Sequence, residues 1–170
     1  MSDIQIRPLQ AKDRGALVNI YNHYVEGSHC TFDVNPFTTV SRAAWFEQFA
    51  EPIYQCLVAC RIGPSLTEEV VGYACSMPFK SKPAYCRSVE MSIYIADEVG
   101  AKGVGTQLYT MLFDRLKGQP LHRAYAGITL PNEASITLHE KFGFTKTGHF
   151  REVGYKFDRY WDVAWFEKPL

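Results

Sequence analysis

The sequence has 170 residues, 46% hydrophobic and 14% aromatic, with 18 basic and 18 acidic side chains and a formal net charge of zero. That length fits one domain, taken here as residues 1–170, and the composition excludes a disordered chain. There is no basic block to support a nucleic-acid partner, no apolar run near the roughly 20 residues that cross a bilayer, and no charged-then-apolar leader in Met1–Arg7. No membrane partner is expected, and the expected compartment is the cytoplasm.

In chain order, Ile4–Arg7 reads as a short strand, followed by a helix with Leu17, Ile20, Tyr21 and Tyr24 on one face and Gly27-Ser28 at its end. A loop over Cys30–Thr39 leads to a short helix carrying Trp45, Phe46 and Phe49, with Ser41 expected as its N-cap. Tyr54–Cys60 and Val70–Ser76 are apolar and separated by Gly63-Pro64-Ser65, the pattern of a hairpin. After a loop over Met77–Arg87, Val89–Ile95 alternates: Val89, Met91, Ile93 and Ile95 on one side, Glu90, Ser92 and Tyr94 on the other. A glycine-rich turn, Gly100–Gly105, opens a helix with Leu108, Met111, Leu112 and Leu116 on one face. Ala124–Leu130 is a further strand, Pro131-Asn132 starts a helix closed by Gly143, and Phe144–Phe150 and Tyr155–Phe166 read as late strands. The sum is a mixed α/β (α+β) single domain, a sheet with helices laid on it. The five cysteines (Cys30, Cys56, Cys60, Cys75, Cys86) are odd in number and form no CxxC pair, so free thiols are expected and no metal site.

A strand, a glycine turn and a helix N-terminus together form an anion-binding device, because backbone N–H groups converge and the helix end is positive. The Walker pattern fails here, since Thr106 follows Gly105 directly and the phosphate lysine is missing. The Rossmann fingerprint fails as well, since Gly103-Val104-Gly105 lacks its third glycine. A Gly-x-Gly opening a helix after an alternating strand is compatible with a pyrophosphate such as that of coenzyme A.

The segment Asn132-Glu133-Ala134-Ser135-Ile136-Thr137-Leu138-His139-Glu140-Lys141-Phe142-Gly143-Phe144 resembles the GNAT pattern Asn-x-x-Ala/Ser-x-x-Leu-x-x-Lys-x-Gly-Phe. More closely, the chain is similar to the phosphinothricin/methionine sulfoximine N-acetyltransferase branch. Matching stretches are Ile20–Val25, Pro83-Ala84-Tyr85, Val89–Ile95, Leu130-Pro131-Asn132, Leu138-His139-Glu140 and Trp161-Asp162-Val163, so the likeness covers nearly the whole chain. One departure is Gly100, which stands where the superfamily usually has Gln or Arg.

The resemblance implies a GNAT fold, a central mixed and mostly antiparallel twisted sheet flanked by helices. It also implies acetyl-CoA as cofactor, a small-molecule amine as acceptor and a homodimer as the assembly. Moving acetyl to an amine that is protonated at neutral pH needs a base. Glu90, flanked by Val89 and Met91 on the strand before the turn, is the candidate, and the resemblance implies the same role. His139 stands where many relatives have tyrosine and is a candidate acid, base or proton relay. For the cofactor, Ile93, Tyr94 and Ile95 are expected to offer groups to the pantetheine arm. Val99, Gly100, Ala101, Lys102, Gly103, Val104, Gly105 and Thr106 are expected to hold the pyrophosphate. Asn132 either caps its helix, binds the arm or does both, and Ser135 and Lys141 are further candidate contacts. For the acceptor, Lys82 or Lys80 stands where the branch has a carboxylate-binding arginine, with Phe32, Tyr85, Arg87 and Thr129 as candidate lining. A peptide or protein amine as acceptor, and a non-catalytic acyl-CoA sensor, are the alternatives.

Overall fold

The computed structural model describes residues 3–64, 66–97 and 103–170. The elements are β1 (Asp3–Pro8), α1 (Arg14–Gly27), α2 (Ala43–Glu47), β2 (Gln55–Ile62), β3 (Glu68–Pro78), β4 (Ser88–Ile95), α3 (Val104–Leu116), β5 (Arg123–Thr129), α4 (Glu133–Lys141), β6 (Thr145–Lys156) and β7 (Arg159–Pro169). Among the described residues, seven strands form one sheet in the order β1-β2-β3-β4-β5-β7-β6. All neighbours are antiparallel except β4 and β5, which run parallel.

The alternation of each strand sorts its side chains onto two faces. On one face Leu57, Ala74, Val89, Met91, Ala126, Ile128 and Phe166 meet Leu108, Tyr109 and Leu112 of α3 and the partly buried Ile136 and Leu138 of α4. On the other, Val58, Cys60, Tyr73 and Cys75 meet Leu17, Val18 and Ile20 of α1 and Phe46 of α2. Burying an aliphatic side chain of this size contributes about 1.5–3 kcal/mol, which is why the i, i+4 pair Leu108/Leu112, both fully buried, holds α3 to the sheet. The cysteines are free thiols, with Cys56, Cys60 and Cys75 inside the core. Among the described residues no helix is long and apolar enough to cross a membrane.

Two local expectations are corrected. Ser41 does not cap α2; Arg42 holds the N-cap position and offers no side-chain bond. Ser41 is instead engaged with Thr38: the Thr38 N–H donates to Ser41 Oγ at 2.9 Å, and the Ser41 N–H donates to Thr38 Oγ1 at 3.0 Å. β6 runs on to Lys156, beyond the expected end at Phe150, β7 spans Arg159–Pro169, and the two join at Phe157-Asp158, inside the expected Tyr155–Phe166 strand, both at positive φ (54° and 55°). That is the conformation of a tight primed hairpin turn, built here without the glycine that usually signals it.

Candidate active site

The site begins where the sheet splits. β4 and β5 pair only through Ser88↔Arg123, Val89↔Ala124 and Glu90↔Tyr125. Beyond Glu90 the strands diverge, and a cleft of about 310 Å³ lies between Met91–Ile95 and Ala126–Thr129. Asn132, Ala134, Ser135, Leu138 and His139 of the α4 segment line it further, with Tyr24 and Cys30. The Ala96 N–H donates to the Val71 carbonyl and the Ser88 carbonyl accepts from Phe79 N–H, so even-numbered backbone groups of β4 face β3. Peptide groups alternate along a strand. The odd ones, Met91, Ile93 and Ile95, therefore point into the cleft, where no described strand pairs with them. The Ile95 carbonyl accepts from Tyr24 Oη at 2.7 Å.

Glu90 stands at the fork as the last residue paired with β5. Burial pushes its carboxyl above the ordinary range, and the nearby Lys80 pulls the other way. The Lys80 ammonium lies 4.9 Å from the Phe79 ring centroid and 5.7 Å from that of Trp165. Phe79 in turn stacks on Tyr125, Glu90's register partner, at 4.4 Å. The Glu90 side chain belongs to the α1/α2 face with Ser92 and Tyr94.

His139 approaches the split from the opposite face. It is buried; Nδ1 lies 2.8 Å from the Ser135 carbonyl and Nε2 lies 2.8 Å from Tyr109 Oη. A carbonyl only accepts, so Nδ1 carries the proton and Nε2 accepts from the tyrosine. Desolvation lowers the pKa of His139, consistent with this neutral form.

The cofactor candidates fall into three groups. Ile93, Ile95, Asn132 and Ser135 line the cleft, as does Tyr94, whose ring packs among Tyr21, Tyr24 and Tyr73 on the far face. Asn132 does cap α4, its Oδ1 accepting from the Ser135 N–H at 3.1 Å. Gly103, at φ 103°, is the N-cap of α3, followed by Val104, Gly105 and Thr106, with no acidic side chain in the first turn. Lys141 reaches the same helix end, its Nζ donating to Thr106 Oγ1 at 3.2 Å. Val99, Gly100, Ala101 and Lys102 lie outside the described residues. Gly105 has a reason of its own. A Cβ there would meet Leu138 Cδ2 at 3.2 Å and Ile95 Cδ1 at 3.4 Å, so this glycine lets α3 and α4 close on β4.

The acceptor candidates are less gathered. Thr129 is buried in the cleft wall. Tyr85 is exposed and meets the Phe79 ring edge-on at 5.7 Å. Lys82 is exposed at the N-cap of a short 3₁₀ turn, Pro83–Tyr85. Phe32 packs directly on Gly154 of β6 and does not line the cleft. Arg87 is not brought to the site. It precedes β4 at the paired end, its carbonyl accepting from the His122 and Arg123 N–H groups, and its side chain is exposed.

Two buried cations were not singled out from the sequence. Lys156 of β6 donates to the Ser28 carbonyl at 2.7 Å, to that of Thr31 at 2.8 Å and to that of Tyr24 at 3.4 Å. It supplies the cation that the last turn of α1 lacks. Arg42 lies among aromatic rings, its guanidinium 3.6 Å from the Tyr21 ring centroid and 4.5 Å from that of Trp45. Neither follows a periodicity, and Lys156 meets its partners across more than a hundred residues of chain.

A family model described as "Acetyltransferase (GNAT) domain" matches residues 6–165. The chain belongs to the GNAT acetyltransferase family. It is 48% identical over 170 residues to a phosphinothricin N-acetyltransferase of Streptomyces coelicolor, covering 99% of this chain and 98% of that protein. It is 33% identical over 165 residues to an L-methionine sulfoximine/L-methionine sulfone acetyltransferase of Pseudomonas paraeruginosa, covering 97% and 94%. Among solved structures, the putative acetyltransferase yncA of Salmonella typhimurium with its cofactor acetyl-CoA superposes with a TM-score of 0.90 at 32% identity, covering 98% and 94%. The seven-stranded mixed sheet with four flanking helices is thus a GNAT fold.

Proposed function

We propose that this chain transfers the acetyl group of acetyl-CoA to the primary amine of a small amino-acid-like acceptor of the phosphinothricin or methionine sulfoximine/sulfone type. The observation that carries the reading is the position of Glu90: a desolvated carboxylate at the fork, where the cleft between β4 and β5 opens. Acetyl-CoA supplies an activated acyl group with an electrophilic thioester carbonyl. The residues fit such a ligand, since the cleft is walled on one side by backbone groups of Met91 and Ile93 that lack a strand partner. The Ile93 N–H is the donor assigned to the thioester carbonyl. Gly103–Thr106 and Lys141, together with Val99, Gly100, Ala101 and Lys102, are assigned to the pyrophosphate, and Asn132 and Ser135 to the pantetheine arm.

Glu90 takes the proton of the attacking amine. His139, with both ring nitrogens engaged, acts by positioning: it ties Tyr109 of α3 to Ser135 of α4 along the cleft. Lys80 and Lys82 are both exposed, and Lys80, the one whose charge lies near Glu90, is assigned to the acceptor's carboxylate. A cytoplasmic protein is the setting this chemistry fits, since acetyl-CoA is an intracellular metabolite. Coenzyme A release measured with phosphinothricin, methionine sulfoximine, methionine sulfone and a short peptide tests the reaction. Turnover is expected with the amino-acid acceptors; acetyl-CoA binding with no turnover on any amine favours the sensor.

We further propose a homodimer through the β6–β7 hairpin, where Phe150, Val153, Tyr155, Phe157 and Tyr160 are all at least half exposed. Light scattering at micromolar concentration is expected to give twice the chain mass; a monomer mass refutes it.

A further inference from the structure

A second cavity, of about 300 Å³, lies on the Glu90 face of the sheet. Tyr73 and Met77 of β3 and Ser92 and Tyr94 of β4 form its floor, and α1, α2 and the loop between them supply Tyr21, Phe37, Arg42 and Trp45. Arg42 is only 8% exposed. None of its guanidinium nitrogens donates to a protein acceptor among the described residues, Nη1 is buried without a partner, and it forms no ion pair there. The Tyr73 hydroxyl, on the cavity floor, is also buried and has no partner among the described residues. A guanidinium carries five donors, and leaving them unmet in an aromatic cage is costly. Stacking on Tyr21, Phe37 and Trp45 offsets part of that cost but satisfies no N–H.

The cavity adjoins the reacting centre. Met77, in its floor, is the β3 register partner of Glu90. Ser92 follows Glu90 on the same face, a step of roughly 6.6 Å along the strand, and it lines both this cavity and the cofactor cleft. An α-amino acid with its amine at Glu90 and its carboxylate towards Lys80 would send its side chain along β4 into the cavity.

We propose that this cavity is the side-chain pocket of the acceptor, and that Arg42 grips the oxygens at the end of that side chain, those of a phosphinate, sulfone or sulfoximine group, while the aromatic walls cover its methyl and methylene groups. The inference rests on the acceptor reading above. Asp33, at the rim and accepting from the Tyr21 hydroxyl, sets a negative charge that favours a neutral dipolar or singly charged terminus over a dianion. Arg42 is thus a specificity-determining residue, with no part in the proton transfer.

The test is calorimetric titration of L-methionine sulfone and of L-norleucine, which lacks the terminal oxygens, into the protein saturated with coenzyme A. Wild type is expected to bind the sulfone at least tenfold more tightly. Arg42→Met is expected to weaken the sulfone by about tenfold to hundredfold, the size of charge-assisted hydrogen bonds, and norleucine by less than about twofold. In turnover the loss falls on KM and not on kcat. A folded Arg42→Met that binds the sulfone as wild type does, or that loses both ligands equally, overturns the inference. Should that variant fail to fold, Arg42→Lys retains the charge without the planar fork and is expected to lose part of the sulfone preference; retaining all of it is equally fatal. Binding is read without turnover, so the two readings fail separately. Sulfone held through Arg42 but never acetylated removes the enzyme reading alone, and acetylation indifferent to Arg42 removes this inference alone.

Discussion

Glu90→Gln is expected to lower kcat at neutral pH by about a hundredfold to ten-thousandfold, the usual weight of a positioned general base, with the KM for acetyl-CoA unchanged. The amide keeps the shape of the side chain but cannot take the proton of an ammonium. Acetyl-CoA affinity should survive, because the Glu90 side chain lies on the α1/α2 face while Gly103–Thr106 and Asn132 lie at the ends of α3 and α4. The pH profile separates a base from a structural carboxylate. Glu90 must be ionised to act, so wild-type kcat/KM falls as pH drops through its pKa, which burial holds above the ordinary value of 4.5. That acid limb should vanish in Glu90→Gln. Lys80 lowers the same pKa, so in Lys80→Met the limb should move to higher pH. Full activity of Glu90→Gln at pH 7 would remove the assignment.

Lys156→Met is expected to cost about 2–4 kcal/mol of stability, because charged hydrogen bonds to three carbonyls go at once and Met leaves them without a donor. For a chain of this length that corresponds to a fall in Tm of roughly 5–15 °C. The Lys156 ammonium is the joint between the β6–β7 hairpin and the end of α1, so the loop carrying Phe32 and Asp33 should loosen with it. Thermal unfolding by circular dichroism checks the prediction. A melting temperature within a degree or two of wild type would show that water replaces the ammonium without loss.

The course of the chain was readable wherever a period or a punctuating residue recorded it. The alternation from Val89 to Ile95 placed β4 and its two faces, and Asn132 and Gly143 marked the ends of α4. Glu90 was legible for the same reason, as a carboxylate on a patterned strand. The remainder depends on contacts between segments far apart in sequence, which leave no local trace. The divergence of β4 from β5 after Glu90 is a property of two strands together. Arg42 looked like any residue ahead of a short helix, and Lys156 like a surface lysine on a hairpin; only the fold shows what closes over them. The turn at Phe157-Asp158 escaped because neither residue is one that favours positive φ for free.

The fork between β4 and β5 also means that this sheet has an edge in its middle. Exposed strand edges are usually blunted by charge, proline or a covering loop, because they invite another chain to add on. Here the edge at Met91 and Ile93, which no described strand pairs, is shielded by depth, between Tyr24 on one face and α4 on the other. In the proposed reading, a pantetheine arm laid along it would complete the sheet as a strand would. Binding of the cofactor should then tighten the whole domain, by about 2.7 kcal/mol at a hundredfold excess over Kd.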